Sequence, residues 1–123
     1  MSLTTFAILL SAIGIPMSWQ IAIAYFKDPV EGMKKNHHRL ECLPYVMTDR
    51  YVSFAFLATA ATLYRDRAVI AFLAACFAFM ALSDTLIYAR RGYPYRSHLV
   101  FGVLAVIVAA VATFAKLMNG VAA

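Results

Sequence analysis

Residues 68–88 read "AVIAFLAACFAFMALSDTLIY", an apolar run with a single charged side chain, Asp84. It is close to the roughly 20 residues that a helix needs to cross about 30 Å of hydrocarbon. Three further runs of similar length stand at residues 3–26, 45–64 and 98–117. In lipid every backbone amide must be satisfied within the protein, which leaves helices or closed barrels, and the strand-length alternation of a barrel is absent. Of the 123 residues 63% are hydrophobic and 14% charged, too little polar surface for a soluble domain of this size. The expected fold is therefore all-α: a polytopic membrane protein whose four transmembrane helices form an up-down bundle in a single domain.

The first run lacks a basic leading segment and carries Pro16 at its centre, so it is expected to remain as a spanning helix and not to be cleaved as a signal. The connectors differ. Between the second and third runs "YRDR" is barely a turn, whereas residues 27–44, "KDPVEGMKKNHHRLECLP", form a longer polar loop. Pro29, Gly32 and Pro44 interrupt helicity there, which predicts irregular backbone or a short surface helix over residues 34–43. A loop of that length in so small a bundle suits a lid or a docking surface.

Charge orients the chain. Loops 27–44 and 89–97 hold Lys27, Lys34, Lys35, Arg39, Arg90, Arg91 and Arg96, against Arg65, Arg67 and Lys116 on the other side. The positive-inside rule makes those two loops cytoplasmic and sends both termini outside. The formal net charge of +5 is accordingly assigned to topology and anionic lipid, with no nucleic acid partner. Cys42 and Cys76 form no CxxC pair and read as reduced thiols.

Small residues mark two packing seams: Gly102, Ala105, Ala109 and Ala112 in the fourth run, and Ala7, Ser11, Gly14 and Ser18 in the first. Such spacing lets membrane helices approach closely, either within the bundle or in a homodimer.

Once the topology is drawn, the polar residues gather at one depth. Asp49 and Arg50 open the second run, Asp84 lies one turn before Tyr88, and His98 opens the fourth. Trp19 and Gln20, toward the same end of the first run, complete the ring. Ionisable groups inside spans face the bundle interior and pair with each other or with a ligand. Beside Arg50, Asp84 would stay ionised; unpaired in an apolar setting, it would hold a proton that it could donate. His98, near a helix N-terminus, is favoured as a neutral base. The same residues would also make a structural salt bridge, so a locked ion pair, a ligand pocket and an ion path all remain open. Phe77, Met80 and Tyr88 share a helical face with Asp84, which suits a lipophilic ligand.

Tyr88, Tyr93 and Tyr95 with Arg90, Arg91 and Arg96 read as interfacial anchors around a Gly92 and Pro94 turn. His37, His38 and His98 have no ligand spacing on a helix, so neither metal nor cofactor is expected. A transporter that depends on a carboxylate in its first span is excluded, because residues 3–26 contain none.

Over residues 46–115 the chain resembles the DUF4267 family, small four-helix membrane proteins of bacteria and fungi. The resemblance is carried by Asp49 and Arg50 at the start of the second helix, the turn "YRDRAV", the aspartate of "ALSDTLIYARRG" and the histidine of "SHLVFG". It implies the four-helix fold, a setting such as the bacterial inner membrane, and a candidate site at Arg50, Asp84 and His98. Loop 27–44 lies outside it.

Two functional expectations follow. In the first, a cytoplasmic-side pocket binds a hydrophobic small molecule and isomerises or cyclises it. Asp84 is then the acid or anchor, His98 the base and Arg50 the charge partner, with Asp49, Trp19, Gln20 and Tyr88 lining the ligand. In the second, the chain is a non-catalytic accessory subunit of a larger membrane complex, docked through loop 27–44 and the basic turn.

Overall fold

The computed structural model describes residues 3–121, with the side chains at 4, 6–8, 11, 17 and 119–121 outside that description. All of its regular elements are helical: α1 (Leu3–Lys27), α2 (Pro29–Lys35), a 3-10 turn (Leu40–Cys42), α3 (Leu43–Tyr64), α4 (Arg67–Arg90) and α5 (Arg96–Val121). The chain divides into two units, Met1–Asp49 and Arg50–Ala123.

In the first unit α1 keeps Pro16 in its interior. After α1 the chain turns at Asp28, whose carboxylate accepts from the amides of Val30 and Glu31, both at 3.0 Å. Pro29 follows at the first helical position, where its missing N–H costs nothing and its φ is already helical. The short helix of this connector is thus Pro29–Lys35, where residues 34–43 had been expected. Gly32 does not break it. The glycine is buried where α2 meets α1, and a Cβ there would stand 3.0 Å from Tyr25 Cγ and 3.1 Å from Tyr25 Cα. A close approach, and not a turn, is what requires glycine at this position.

The end of α2 is a Schellman motif. His38 N–H donates to Met33 O at 2.8 Å and His37 N–H to Lys34 O at 3.0 Å, with His37 left-handed at φ 57°. Pro44 lies in the first turn of α3, where proline is tolerated. In α1, Gly14 has nothing within 4 Å of an added Cβ and Ser18 is exposed, while the side chains of Ala7 and Ser11 lie outside the described residues.

In the second unit the turn after α3 takes two residues. Arg65, at φ 60°, donates its N–H to Ala61 O at 3.1 Å and so closes α3. Asp66 then caps α4 through the amides of Ala68 (2.7 Å) and Val69 (3.2 Å). Those two N–H groups, Val69 first, hold the Asp66 carboxyl below its ordinary value of 3.8, with smaller help from the cations Lys116 and Arg67. The opposite turn is a second Schellman motif, in which Tyr93 N–H reaches Tyr88 O at 3.0 Å and Gly92 N–H reaches Ala89 O at 3.1 Å. Gly92 supplies the left-handed residue at φ 73°, and Pro94 prevents the helix from resuming.

These two turns make α4 and α5 antiparallel neighbours along an interface of small residues. Ala74, Ala78 and Ala81 of α4 are buried, as are Gly102, Ala105 and Ala112 of α5, with Ala109 half-buried. Contact is closest at Gly102, where an added Cβ would come within 2.8 Å of Leu82 Cδ2. The predicted seam of the fourth run is therefore an internal one, and its partner is α4. Large apolar side chains lie outside it: Phe72 is 75% exposed, Phe79 74% and Phe114 63%. A water-soluble core buries such residues first. This pair does the reverse, burying small residues and displaying large ones, as helices packed in lipid do.

Hydroxyls follow the same logic. Thr59, Thr62, Thr85 and Thr113 each donate to the carbonyl four residues earlier at 2.8 Å, so these four hydroxyl protons are satisfied within their own helices. Among the described residues, α4 (mean hydropathy 2.1) and Arg96–Met118 of α5 (2.4) are long and apolar enough to cross a membrane. At about 1.5 Å per residue α4 is roughly 36 Å long, sufficient for about 30 Å of hydrocarbon. Among the described residues these are the two of the four expected spans that meet the requirement; the first, residues 3–26, includes side chains outside that description. Asp49 and Arg50 take the first third of α3 out of its apolar run.

Candidate functional site

Asp84 sits on α4 six residues before its last residue, Arg90, and His98 is the third residue of α5. The antiparallel register set by the small-residue seam brings them together. His98 Nδ1 lies 3.7 Å from Asp84 Oδ2, with the two side chains 29% and 45% exposed respectively. That separation is too long for a direct hydrogen bond and suits one bridging water or a small side-chain adjustment. Tyr88, one turn beyond Asp84, completes the group, its ring centroid 5.1 Å from that of His98 and 6.1 Å from that of Tyr93.

Below this cluster an aromatic ladder crosses the unit. Tyr51 meets Phe54 at 6.1 Å, Phe54 meets Phe77 at 5.5 Å, and Phe77 meets Phe101 at 6.4 Å. Phe77 was expected on the face of Asp84; Phe54 and Phe101 were not singled out. The available signal was spacing, since Tyr51 and Phe54 are three apart, as are His98 and Phe101. The ladder joins α3, α4 and α5, and between α3 and α4 the Phe54 and Phe77 rings reach across where the backbones stay apart.

The other predicted residues are placed differently. Arg50, on α3, is exposed and forms no ion pair with Asp84, whose charged neighbour is His98. The expected Asp84 and Arg50 pair is thus replaced by a pair across the α4–α5 seam, because that seam is where backbones come close enough for short side chains to meet. Asp49 is exposed at the end of the first unit, and Trp19 (64% exposed) and Gln20 are exposed on α1 of that unit.

Grooves open among the described residues of the second unit. One of about 350 Å³ is lined by Ile87, Tyr88, Arg91 and Tyr93, directly beside the cluster. The larger, about 500 Å³, lies between α4 and α5 away from Asp84 and is lined by Ala75, Ala78, Val106, Ala109, Ala110, Thr113, Phe114 and Leu117. Among the described residues no three His, Cys, Asp or Glu side chains gather as a metal site would require. Cys42 and Cys76 are free thiols.

No protein-family model, curated protein or solved structure matches this chain.

Proposed function

We propose that the chain is a four-span membrane protein of the DUF4267 type that binds a hydrophobic small molecule beside Asp84 and His98 and isomerises or cyclises it by acid and base chemistry. The observation that carries this reading is the 3.7 Å approach of His98 Nδ1 to Asp84 Oδ2 inside an otherwise apolar helix pair. A carboxylate at Nδ1 favours the proton on that nitrogen, which leaves Nε2 as the acceptor that would take a proton from the ligand. Asp84 then positions and balances the imidazole, and Tyr88, stacked on His98 at 5.1 Å, supplies an aromatic wall.

In this reading loops 27–44 and 89–97 face the cytoplasm, the termini face outward, and the setting is a bacterial inner membrane. The excess of cations in those two loops supports the orientation. Arg50 serves as a remote charge and not as a direct partner of Asp84.

The test is extraction of small molecules that copurify with the protein in detergent, analysed by mass spectrometry. Wild type is expected to retain a hydrophobic compound other than phospholipid, which Asp84→Asn and His98→Gln lose while keeping the wild-type circular dichroism spectrum. Equal retention by all three proteins would remove the pocket from consideration.

A second reading, a non-catalytic accessory subunit of a larger membrane complex or of a homodimer, is favoured by the exposure of the pair, since 45% of Asp84 is open. It predicts a detergent-stable assembly that is lost when residues 30–43 are deleted.

A further inference from the structure

The groove of Ile87, Tyr88, Arg91 and Tyr93 has a composition that acid and base chemistry at Asp84 and His98 does not use. Ile87 and Arg91, four residues apart, share one face of the last turns of α4, and Tyr93 folds back so that its ring meets Tyr88 edge-on at 6.1 Å. The groove therefore runs from a guanidinium, past two phenol rings, to an aliphatic side chain that is 51% exposed.

Its depth is set by the helix. A span of 24 residues reaches from one bilayer surface to the other, so Arg91, just past the end of α4, stands at headgroup level, and Ile87 lies about 6 Å nearer the hydrocarbon. Arg90, Arg91 and Arg96 crowd this end, and none of them is in an ion pair among the described residues. The backbone of the turn at residues 91–93 offers an anion no free donor. The amides of residues 91–93 all donate to Tyr88 O or Ala89 O at 3.0–3.1 Å. An anion must be held by side chains, and arginine's planar fork matches phosphate oxygens.

We infer that this groove is a binding site for one anionic phospholipid of the adjoining leaflet. Its phosphate lies on Arg91 beside the Tyr88 and Tyr93 rings, and an acyl chain descends along Ile87. Free phosphate shares the headgroup chemistry but makes no use of the apolar wall at Ile87. The site adjoins the small-molecule pocket and shares the Tyr88 ring with it, but Arg91 is not part of that pocket, and Asp84 and His98 are not part of this one.

Native mass spectrometry of the detergent-solubilised protein, incubated with phosphatidylglycerol or with phosphatidylcholine, provides the test. Wild type is expected to retain phosphatidylglycerol in preference to phosphatidylcholine. Arg91→Gln is expected to lower that preference about fivefold, the factor one surface cation contributes toward anionic lipid. Arg65→Gln removes the same charge from the opposite end of the unit and is expected to leave the preference intact. Arg91→Lys keeps the charge but loses the fork, and is expected to fall between wild type and Arg91→Gln. Equal losses in Arg65→Gln and Arg91→Gln would reduce the effect to net charge and overturn the site. So would wild-type preference in Arg91→Gln, or full displacement of the lipid by millimolar inorganic phosphate.

Discussion

Replacing Gly102 with valine puts the α4–α5 seam under direct load. A Cβ at this position would stand 2.8 Å from Leu82 Cδ2, 2.9 Å from Leu82 Cγ and 3.4 Å from Ala81 Cβ. Carbon atoms at rest sit about 3.5–4.0 Å apart, so either Leu82 retreats by about 1 Å or the helices separate. The tip of Leu82 can swing aside at about 0.5–1.5 kcal/mol for an off-rotamer torsion, whereas Ala81 Cβ is fixed to its backbone. For Gly102→Ala the helix-propensity gain of about 1 kcal/mol offsets most of that strain, and the variant should lie within about 1 kcal/mol of wild type. Valine adds two further carbons that cannot both avoid Leu82 and Ala81, and should destabilise by about 2–3 kcal/mol, the upper range for overpacking.

The assay is unfolding by SDS titration in mixed micelles, followed by far-ultraviolet circular dichroism. Leu82→Ala removes the Cγ and Cδ atoms that obstruct the new side chain. The double variant should therefore recover about 1–2 kcal/mol relative to the sum of the two single changes, within the range seen for residues in contact. Gly14→Ala is the control: nothing lies within 4 Å of its added Cβ, so it should match wild type or exceed it by up to about 1 kcal/mol. If Gly102→Val proves as stable as Gly14→Ala, or shows no coupling to Leu82, the close approach at Gly102 is refuted.

His37→Gly should stabilise the first unit by about 1 kcal/mol, because a left-handed residue costs a side chain about that much and glycine almost nothing. The same titration, with Trp19 fluorescence as the local probe, checks it, and a destabilised variant would show that the His37 side chain contributes more than its φ of 57° costs. Asp66 predicts a pH effect. Its folded value is lowered, so its contribution to stability is fully present above the ordinary 3.8 and is lost as pH falls through the folded value. Asp66→Asn, which can still accept from the same amides, should flatten the acid limb of the stability profile; an unchanged acid limb would show that the cap does not respond to pH.

Much of the second unit was legible because its determinants are local. The turn at Gly92 and Pro94 needs only a residue that tolerates a positive φ and one that stops the helix. The seam at Gly102, Ala105, Ala109 and Ala112 is visible as spacing. The first unit was less so. Gly32 reads as a breaker in sequence, yet it is the close approach of Tyr25 that demands it, a contact between residues seven apart that no periodicity reveals. Asp28 and Pro29 do carry a helix-start signal, and placing the short helix at residues 34–43 overlooked it.

The candidate site divides along the same line. Length and apolarity, properties of the chain alone, determine that α4 and α5 can cross a bilayer, and the Gly92 turn determines that they run antiparallel, so Asp84 and His98 had to fall at one end. Which residue answers Asp84 was a tertiary decision. The sequence pointed to Arg50 as the charge partner of Asp84 and to His98 as a base, but partnership depends on how closely two backbones approach. Small residues let α4 and α5 close to within reach of Asp84 and His98, while α3 meets α4 through the Phe54 and Phe77 rings, which hold its backbone farther away. A side chain's charge is written in the sequence; the distance across which it acts is set by the packing.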